Sequence, residues 1–474
     1  MLRGILQKLP ESLLVLKPAV ALSDPTPDVF SVAGLVERIR EALFSLPEHR
    51  KGGNNQSYEI GDAGLSAFSA FFLQSPSFLD YQRRMQKERG ENNASSLFGV
   101  HRIPSTQQIG NLLDPISADH LAPVFFDLIE ALHQHGALAS HRGVDGRRLV
   151  ALDGTQYHCS ESIHCEQCSK RTLSNGKTQY YHVAVTPVII APGHAQVFAL
   201  PPAFVHPQDG QAKQDCELNA ATRWLQQWGA RIAPWRTILL GDDLYCHQPF
   251  CEQVLAQGCE FLFVCLPPSH TLLYEWVADF ERNDAVPTLV KTRWTGKQHL
   301  TDTYRWLNDL PLRDGDEALK VGWCELITTD TAGNVLYRNA WASSVPVTQD
   351  NVVDLVADGR SRWKIENENN NTLKTKGYNF EHNYGHGKQH LASLLASLML
   401  LAFLAHTVLD LIDQRYQAIR QHLPSRRTFF EHLRALTLYM PFASWDQLFD
   451  FMLEALQPAQ PPPRRRSPKR RRQI

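Results

Sequence analysis

Three acidic residues stand where a carboxylate can be both rigid and accessible. Asp153 follows the apolar run Arg148-Leu149-Val150-Ala151-Leu152. Asp242 follows Thr237-Ile238-Leu239-Leu240-Gly241. Glu366 closes the helical stretch Arg360-Ser361-Arg362-Trp363-Lys364-Ile365-Glu366. A carboxylate at the carboxyl end of a strand is held firmly at a sheet edge, where ligands bind. Mg²⁺ prefers hard oxygen donors, so a few carboxylates plus substrate phosphates make a natural site. Two such ions can activate a water and stabilise the leaving oxygen of a phosphodiester. The plainer reading makes each acid a turn or cap residue, since Asp-Gly is a common turn dipeptide. Asp243 is a rival for the second place. Glu368 is a rival for the third, two residues along and about 200° around a helix.

A second constellation is Cys159, His164, Cys165 and Cys168, with His158 beside it. Cys165-Glu166-Gln167-Cys168 is a Cys-x-x-Cys pair with further ligand types just upstream, sufficient for a four-coordinate zinc knuckle in a loop between strands. Unligated thiols in a turn are the plainer alternative, and no thioredoxin-like context supports a redox role. His382, His386 and His390 recur every fourth residue, but Gly385 and Gly387 interrupt a helix there and the His-Glu-x-x-His order is absent. Polar surface or a DNA contact is the expectation for them. Gly176-Lys177-Thr178 has Arg171 where a phosphate-cradling loop needs glycine, and Gly-x-Ser-x-Gly does not occur.

The elements that must position these residues follow from period and punctuation. Residues 1–145 read as helical, with Leu35, Ile39, Ala42 and Leu43 on one face of one helix and a helix pair over Asp114–His133. From 147 the pattern turns to strands, at 148–152, 181–190 and 196–200, the three consecutive and antiparallel. A helix (216–228), a strand (237–240), a helix (249–256) and a strand (261–265) follow. Residues 269–348 are β-rich and carry Trp294, Trp306 and Trp323 among Lys291, Arg293, Lys297 and Arg305, a mixture that suits stacking on an unpaired base beside phosphates. Packing within a sheet is the commoner use of such tryptophans. Helix returns from 350. The predicted fold class is α+β: a mixed-sheet core at 146–268 and 349–413, a helical N-terminal domain at 1–145, a β-rich insertion at 269–348, C-terminal helices at 414–457, and a disordered Pro/Arg tail at 458–474.

Composition narrows the class. The chain has 474 residues, 43% hydrophobic and 20% charged, which excludes a mainly disordered or collagen-like protein. The net charge of −1 averages unlike parts, because seven cations lie between Arg464 and Arg472 and the remainder carries −8. Nine cysteines in a chain this long, with no apolar leader at Met1–Lys8, suggest a reduced cytosolic protein rather than a disulfide scaffold. Leu391–Leu409 lacks Asp, Glu, Lys and Arg and nearly reaches membrane-spanning length. Its His406, its serines and the lack of an aromatic belt favour a helix buried in a large core, with no membrane partner.

Taken in order, Leu152-Asp153-Gly154-Thr155, Leu239-Leu240-Gly241-Asp242-Asp243-Leu244-Tyr245, and Arg362-Trp363-Lys364-Ile365-Glu366-Asn367 with Leu373-Lys374 resemble DDE transposases of bacterial insertion sequences. The branch is the one with a β-rich insertion before the glutamate. The likeness runs from about 147 to 410 and reaches weakly upstream to Gln74–Leu79 and Ile103–Gln108. It implies an RNase-H-like core in which Asp153, Asp242 and Glu366 hold two Mg²⁺ (or Mn²⁺) ions. Asp242 is preferred because Asp242-Asp243-Leu244-Tyr245 matches an Asp-x-Gly-aromatic pattern with Leu244 replacing glycine. Trp363-Lys364-Ile365 likewise favours Glu366. Arg362, on the face of Glu366, and Lys374 would contact DNA phosphate. Where the family commonly has a tyrosine and a lysine, this chain has Gly359 and Leu373. The implied activity is cleavage of double-stranded DNA at the terminal inverted repeats of an insertion sequence and strand transfer to target DNA. A homodimer would act on DNA in the bacterial cytoplasm. A decayed or domesticated DNA-binding copy, or a nuclease without strand transfer, would keep the same fold.

Overall fold

The computed structural model describes residues 29–51, 57–207 and 215–456; the Gly52–Asn55 loop and the Pro/Arg tail lie outside them. In chain order the strands are β1 (Arg148–Ala151), β2 (Gly154–Ser160), β3 (Ser169–Thr172), β4 (Thr178–Val185), β5 (Val188–Ile190), β6 (Phe198–Ala199), β7 (Ala203–Phe204), β8 (Thr237–Gly241), β9 (Glu260–Val264), β10 (Thr288–Trp294), β11 (His299–Pro311), β12 (Lys320–Thr329) and β13 (Val335–Ser343).

One nine-stranded sheet runs β10-β11-β12-β13-β9-β8-β1-β5-β6, and a smaller one runs β2-β4-β3 with β7 on β4. β8 is parallel to both β1 and β9, and the other pairings are antiparallel. All residues of β1 and β8 are buried. Strands covered on both faces read as continuous apolar runs rather than alternating ones, which is why these two were visible in the sequence. The expected strand 181–190 is in fact two. Pro187 cannot donate to a ladder. The chain therefore leaves the small sheet after Val185 and enters the large one at Val188, where Val188 pairs with Ala151.

The β-rich stretch begins with a helix, Thr271–Arg282, that periodicity did not reveal; only Leu273 and Val277 of it are buried. Its strands extend the main sheet, with β13 pairing on β9 at Ala342↔Phe263.

Ahead of the sheet lie the helices Val32–Phe44, Ile60–Phe72, Thr106–Leu113 and Ala122–Gln134. Ser31 caps the first by accepting from Gly34 N, and Ser105 with Gln108 forms a reciprocal capping box on the third. The apolar segment is a helix, Leu391–Ile412, long and apolar enough to cross a membrane; 89% of its most apolar window is buried inside the molecule. Ile60–Phe72 packs along it. Its one basic side chain, His406, is buried and meets Tyr378 Oη at 2.6 Å. Burial pushes that imidazole well below its ordinary pKa.

Candidate active site

Register brings the two aspartates together. In the parallel pair β1–β8, Ala151 stands opposite Leu240, and Leu152 N donates to Leu240 O at 2.8 Å. Asp153 and Asp242 each lie two residues beyond a partner of that pair, so both leave the sheet at the same carboxyl edge. Asp242 then caps a short turn, accepting from Leu244 N at 2.9 Å. Asp243 is engaged elsewhere. It accepts from Leu266 N at 2.8 Å and from Ser269 Oγ, and lies 3.4 Å from His270 Nε2, fastening the loop after β9.

Glu366 arrives from a helix that changes pitch. Val352–Ser361 is α-helical, Ile365–Asn370 is a π-helical stretch, and Asn371–Thr375 is α-helical again. A π-type insertion of this kind is frequent at functional sites. Here it sets three side chains about the site at four-residue spacing. Arg362 Nη2 donates to Glu366 Oε1 at 2.6 Å, and Asn370 Nδ2 donates to Asp153 Oδ2 at 2.8 Å. Asn370 is itself held by Thr186 Oγ1 and Asn369 Nδ2, both at 2.9 Å. Glu368 turns the other way and lines a separate cleft with Gln196, Lys376 and Asp410.

A fourth acid enters that the motifs did not disclose. Glu217, the first residue of the helix Glu217–Ile232, accepts from Gly154 N at 2.9 Å and from Tyr245 Oη at 2.7 Å. A Cβ on Gly154 would lie 2.1 Å from Glu217 Oε2, so the glycine after Asp153 is what lets this carboxylate in. The only sequence signal was an acid in the first turn of a predicted helix, which usually means a helix-dipole partner and nothing more.

The electrostatics record the crowding. Burial, then the charges of Glu217, Glu366 and Asp242, push the Asp153 carboxyl up to about 7; the Arg362 guanidinium works against them. All four acids thus act on one locus, with one arginine among them. Arg362 Nη1 is buried with no hydrogen-bond partner among the described residues. Lys374 is held by Glu381 at 2.9 Å.

The two departures from the transposase pattern have local causes. A Cβ at Gly359 would sit 2.6 Å from Nε1 of Trp341, which is buried and fills the place a side chain there would need. Leu373 is fully buried. Of the three tryptophans in the β-rich stretch, Trp306 and Trp323 are packed inside, whereas Trp294 is 59% exposed. Trp363, next to Arg362, is also exposed, with Lys364 Nζ 5.2 Å from its ring.

The cysteine expectation needs correction. Cys165 and Cys168 do lie in a cluster of ligand types, but the other members are His182 and His386. Cys159 is exposed on β2, and His164 stacks on Tyr180 with centroids 4.1 Å apart, its Nδ1 meeting Ser162 O. The reason is the pleat: Cys159 pairs with Tyr181, so a neighbouring position on β4, His182, turns to the opposite face. His386 does not share a helix face with His382 and His390, because residues 376–390 are irregular.

No protein-family model matches the chain, and no curated protein matches it. Among solved structures, a piggyBac transposase synaptic complex with hairpin DNA aligns over 92% of this chain and 84% of that one, at 9% identity and a TM-score of 0.35. A likeness that faint carries no argument.

Proposed function

We propose that this chain is a metal-dependent DNA transposase of the DDE type, which cuts the ends of an insertion sequence and joins them to target DNA. The observation that carries the reading is the convergence of Asp153, Asp242 and Glu366, remote in sequence, on one locus at the carboxyl edge of parallel strands. The order β6-β5-β1-β8-β9, two antiparallel strands beside three parallel ones, is the arrangement expected of an RNase-H-like core and supports the same reading.

The donor set fits divalent magnesium or manganese: carboxylate oxygens only, crowded enough to raise one acid's pKa, with one counter-charge in Arg362. Asp153, Asp242 and Glu366 would hold the ions. When bound, they supply an activated water and neutralise charge on the leaving oxygen. This chain's own residues do the rest. Asn370 fixes the rotamer of Asp153, and Tyr245 with Gly154 N fixes Glu217 beside it. Arg362 holds Glu366 and would meet a phosphate next to the cut. The helices before residue 146 would read the terminal repeats, and a homodimer would pair two DNA ends in the bacterial cytoplasm. A decayed copy that only binds DNA is the second reading; Gly359 and Leu373, where the pattern has Tyr and Lys, favour it.

The test is incubation of a plasmid carrying the element's ends with Mg²⁺ and either wild type or Glu366→Gln. Nicks at the ends with wild type alone support the proposal, and joined products separate a transposase from a nuclease. Binding of the ends without nicking by either protein would leave the DNA-binding copy as the answer.

A further inference from the structure

Four side chains that the proposed reaction does not use converge beside the small sheet. Cys165 and Cys168 lie in the turn between β2 and β3, His182 on β4, and His386 in the irregular run before the helix Leu391–Ile412. One ligand atom from each lies within 4.8 Å of all the others. Cys165 Sγ is 3.9 Å from Cys168 Sγ and 3.6 Å from His182 Nε2; Cys168 Sγ is 3.4 Å from His182 Nε2 and 3.3 Å from His386 Nε2. A tetrahedral zinc, about 2.3 Å from sulfur and about 2.0 Å from nitrogen, sets two sulfurs about 3.8 Å apart and a sulfur and nitrogen about 3.5 Å apart. The separations are close to the edges of that tetrahedron.

We propose that the chain holds a structural zinc ion on Cys165, Cys168, His182 and His386. Two thiolates and two imidazoles suit zinc over magnesium or calcium, and four protein ligands leave no open position for chemistry. The surroundings are built to hold these ligands. Cys168 and His182 are buried, Tyr157 stacks on the His182 ring with centroids 5.4 Å apart, and His158 packs on His386 at 4.3 Å. His158 Nε2 is itself occupied by Ile163 O at 3.2 Å, so it stands outside the ligand set.

The ion would tie residues far apart in the chain. It clamps the His386 run to the small sheet, and Asp114 holds the next residues by accepting from the N–H groups of Lys388, Gln389 and Leu391. That run joins the Glu366 segment to the long buried helix, so the zinc would fix the end of the element that carries the glutamate.

Zinc analysis of full-length protein, purified in reducing buffer without a histidine tag, tests this. Wild type should carry one equivalent more than Cys168→Ser and His386→Ala, while Cys159→Ser and His164→Gln keep the wild-type content. A strong chelator should lower the Tm of wild type and leave that of His386→Ala unchanged. His386 is half-buried on an irregular run, so its variant keeps the test alive if Cys168→Ser does not fold. Cobalt(II) added to the stripped protein should give the visible absorption of a thiolate complex. Equal zinc in wild type and both ligand variants, or a Cys165–Cys168 disulfide in the native protein, overturns the proposal. Neither outcome touches Asp153, Asp242 or Glu366, so the proposed reaction is judged separately.

Discussion

Asp153 carries the sharpest constraint in the site, because it is half-buried among three other acids and each neighbour has its own anchor. Glu366→Gln or Asp242→Asn keeps the shape and removes one negative charge. Either should lower end-nicking on the order of 10³-fold in Mg²⁺ while leaving DNA retention in a gel shift intact. Asn370→Ala acts through Asp153 and belongs to the class of supporting partners whose loss costs roughly 10–100-fold. Raising the Mg²⁺ concentration should recover part of that rate, as it would not if the asparagine merely stabilised the fold. Gly154→Ala probes the fourth acid. The new methyl displaces the Glu217 carboxylate from Gly154 N and from the buried Tyr245 hydroxyl, so nicking should fall and stability should drop by about 1–3 kcal/mol. Unchanged nicking by Gly154→Ala would remove Glu217 from the site.

At the scale of elements, what the sequence disclosed and what it hid separate by mechanism. β1 and β8 were legible because both faces are buried, and their acids because they follow the apolar runs directly. Glu217 was hidden because its neighbours in space, Gly154 and Tyr245, are 63 and 28 residues away. His182 and His386 were hidden for the same reason, and nearby Cys159 and His164 stood in their place. The pitch change at Ile365–Asn370 has no signature in residue type at all. The preceding helix carries a testable charge. Asp358 is buried, accepts from Val144 N at 2.8 Å, and is pushed by burial up to about 7. Its folded pKa lies above the unfolded value, so its contribution is fully present below about pH 4 and is lost as pH rises through about 7. Asp358→Asn keeps the acceptor and removes the ionisation. It should gain on the order of 4 kcal/mol at pH 8 relative to wild type and almost nothing at pH 4. A stability difference that does not change with pH in urea titrations would show that Asp358 ionises in the fold as readily as in the unfolded chain.

Across the whole molecule the segments that look like separate domains in sequence share one core. Ile60–Phe72 covers the helix Leu391–Ile412, and the region near residue 93 is bonded to the chain's last described helices. Asn93 is fully buried there. Its Nδ2 donates to Thr437 O at 2.9 Å and to Met440 O at 2.8 Å, and its Oδ1 accepts from Phe442 N at 2.8 Å. Trp445 Nε1 adds a 2.6 Å bond to Leu97 O. Asn93→Ala strands two carbonyls and an amide away from water, at a cost of about 2–4 kcal/mol. Because the two ends are packed on the same apolar helix, that loss should lower the midpoint of one cooperative transition rather than split it in two. The shared core also decides what truncation does. A fragment of residues 146–413 keeps every proposed catalytic residue but uncovers Leu391–Ile412, whose buried leucines then face solvent. It should be insoluble or oligomeric by size-exclusion chromatography, whereas the full chain should be monodisperse. A soluble, monomeric 146–413 fragment would show that the helical ends are accessories to the sheet and not part of the core that holds it.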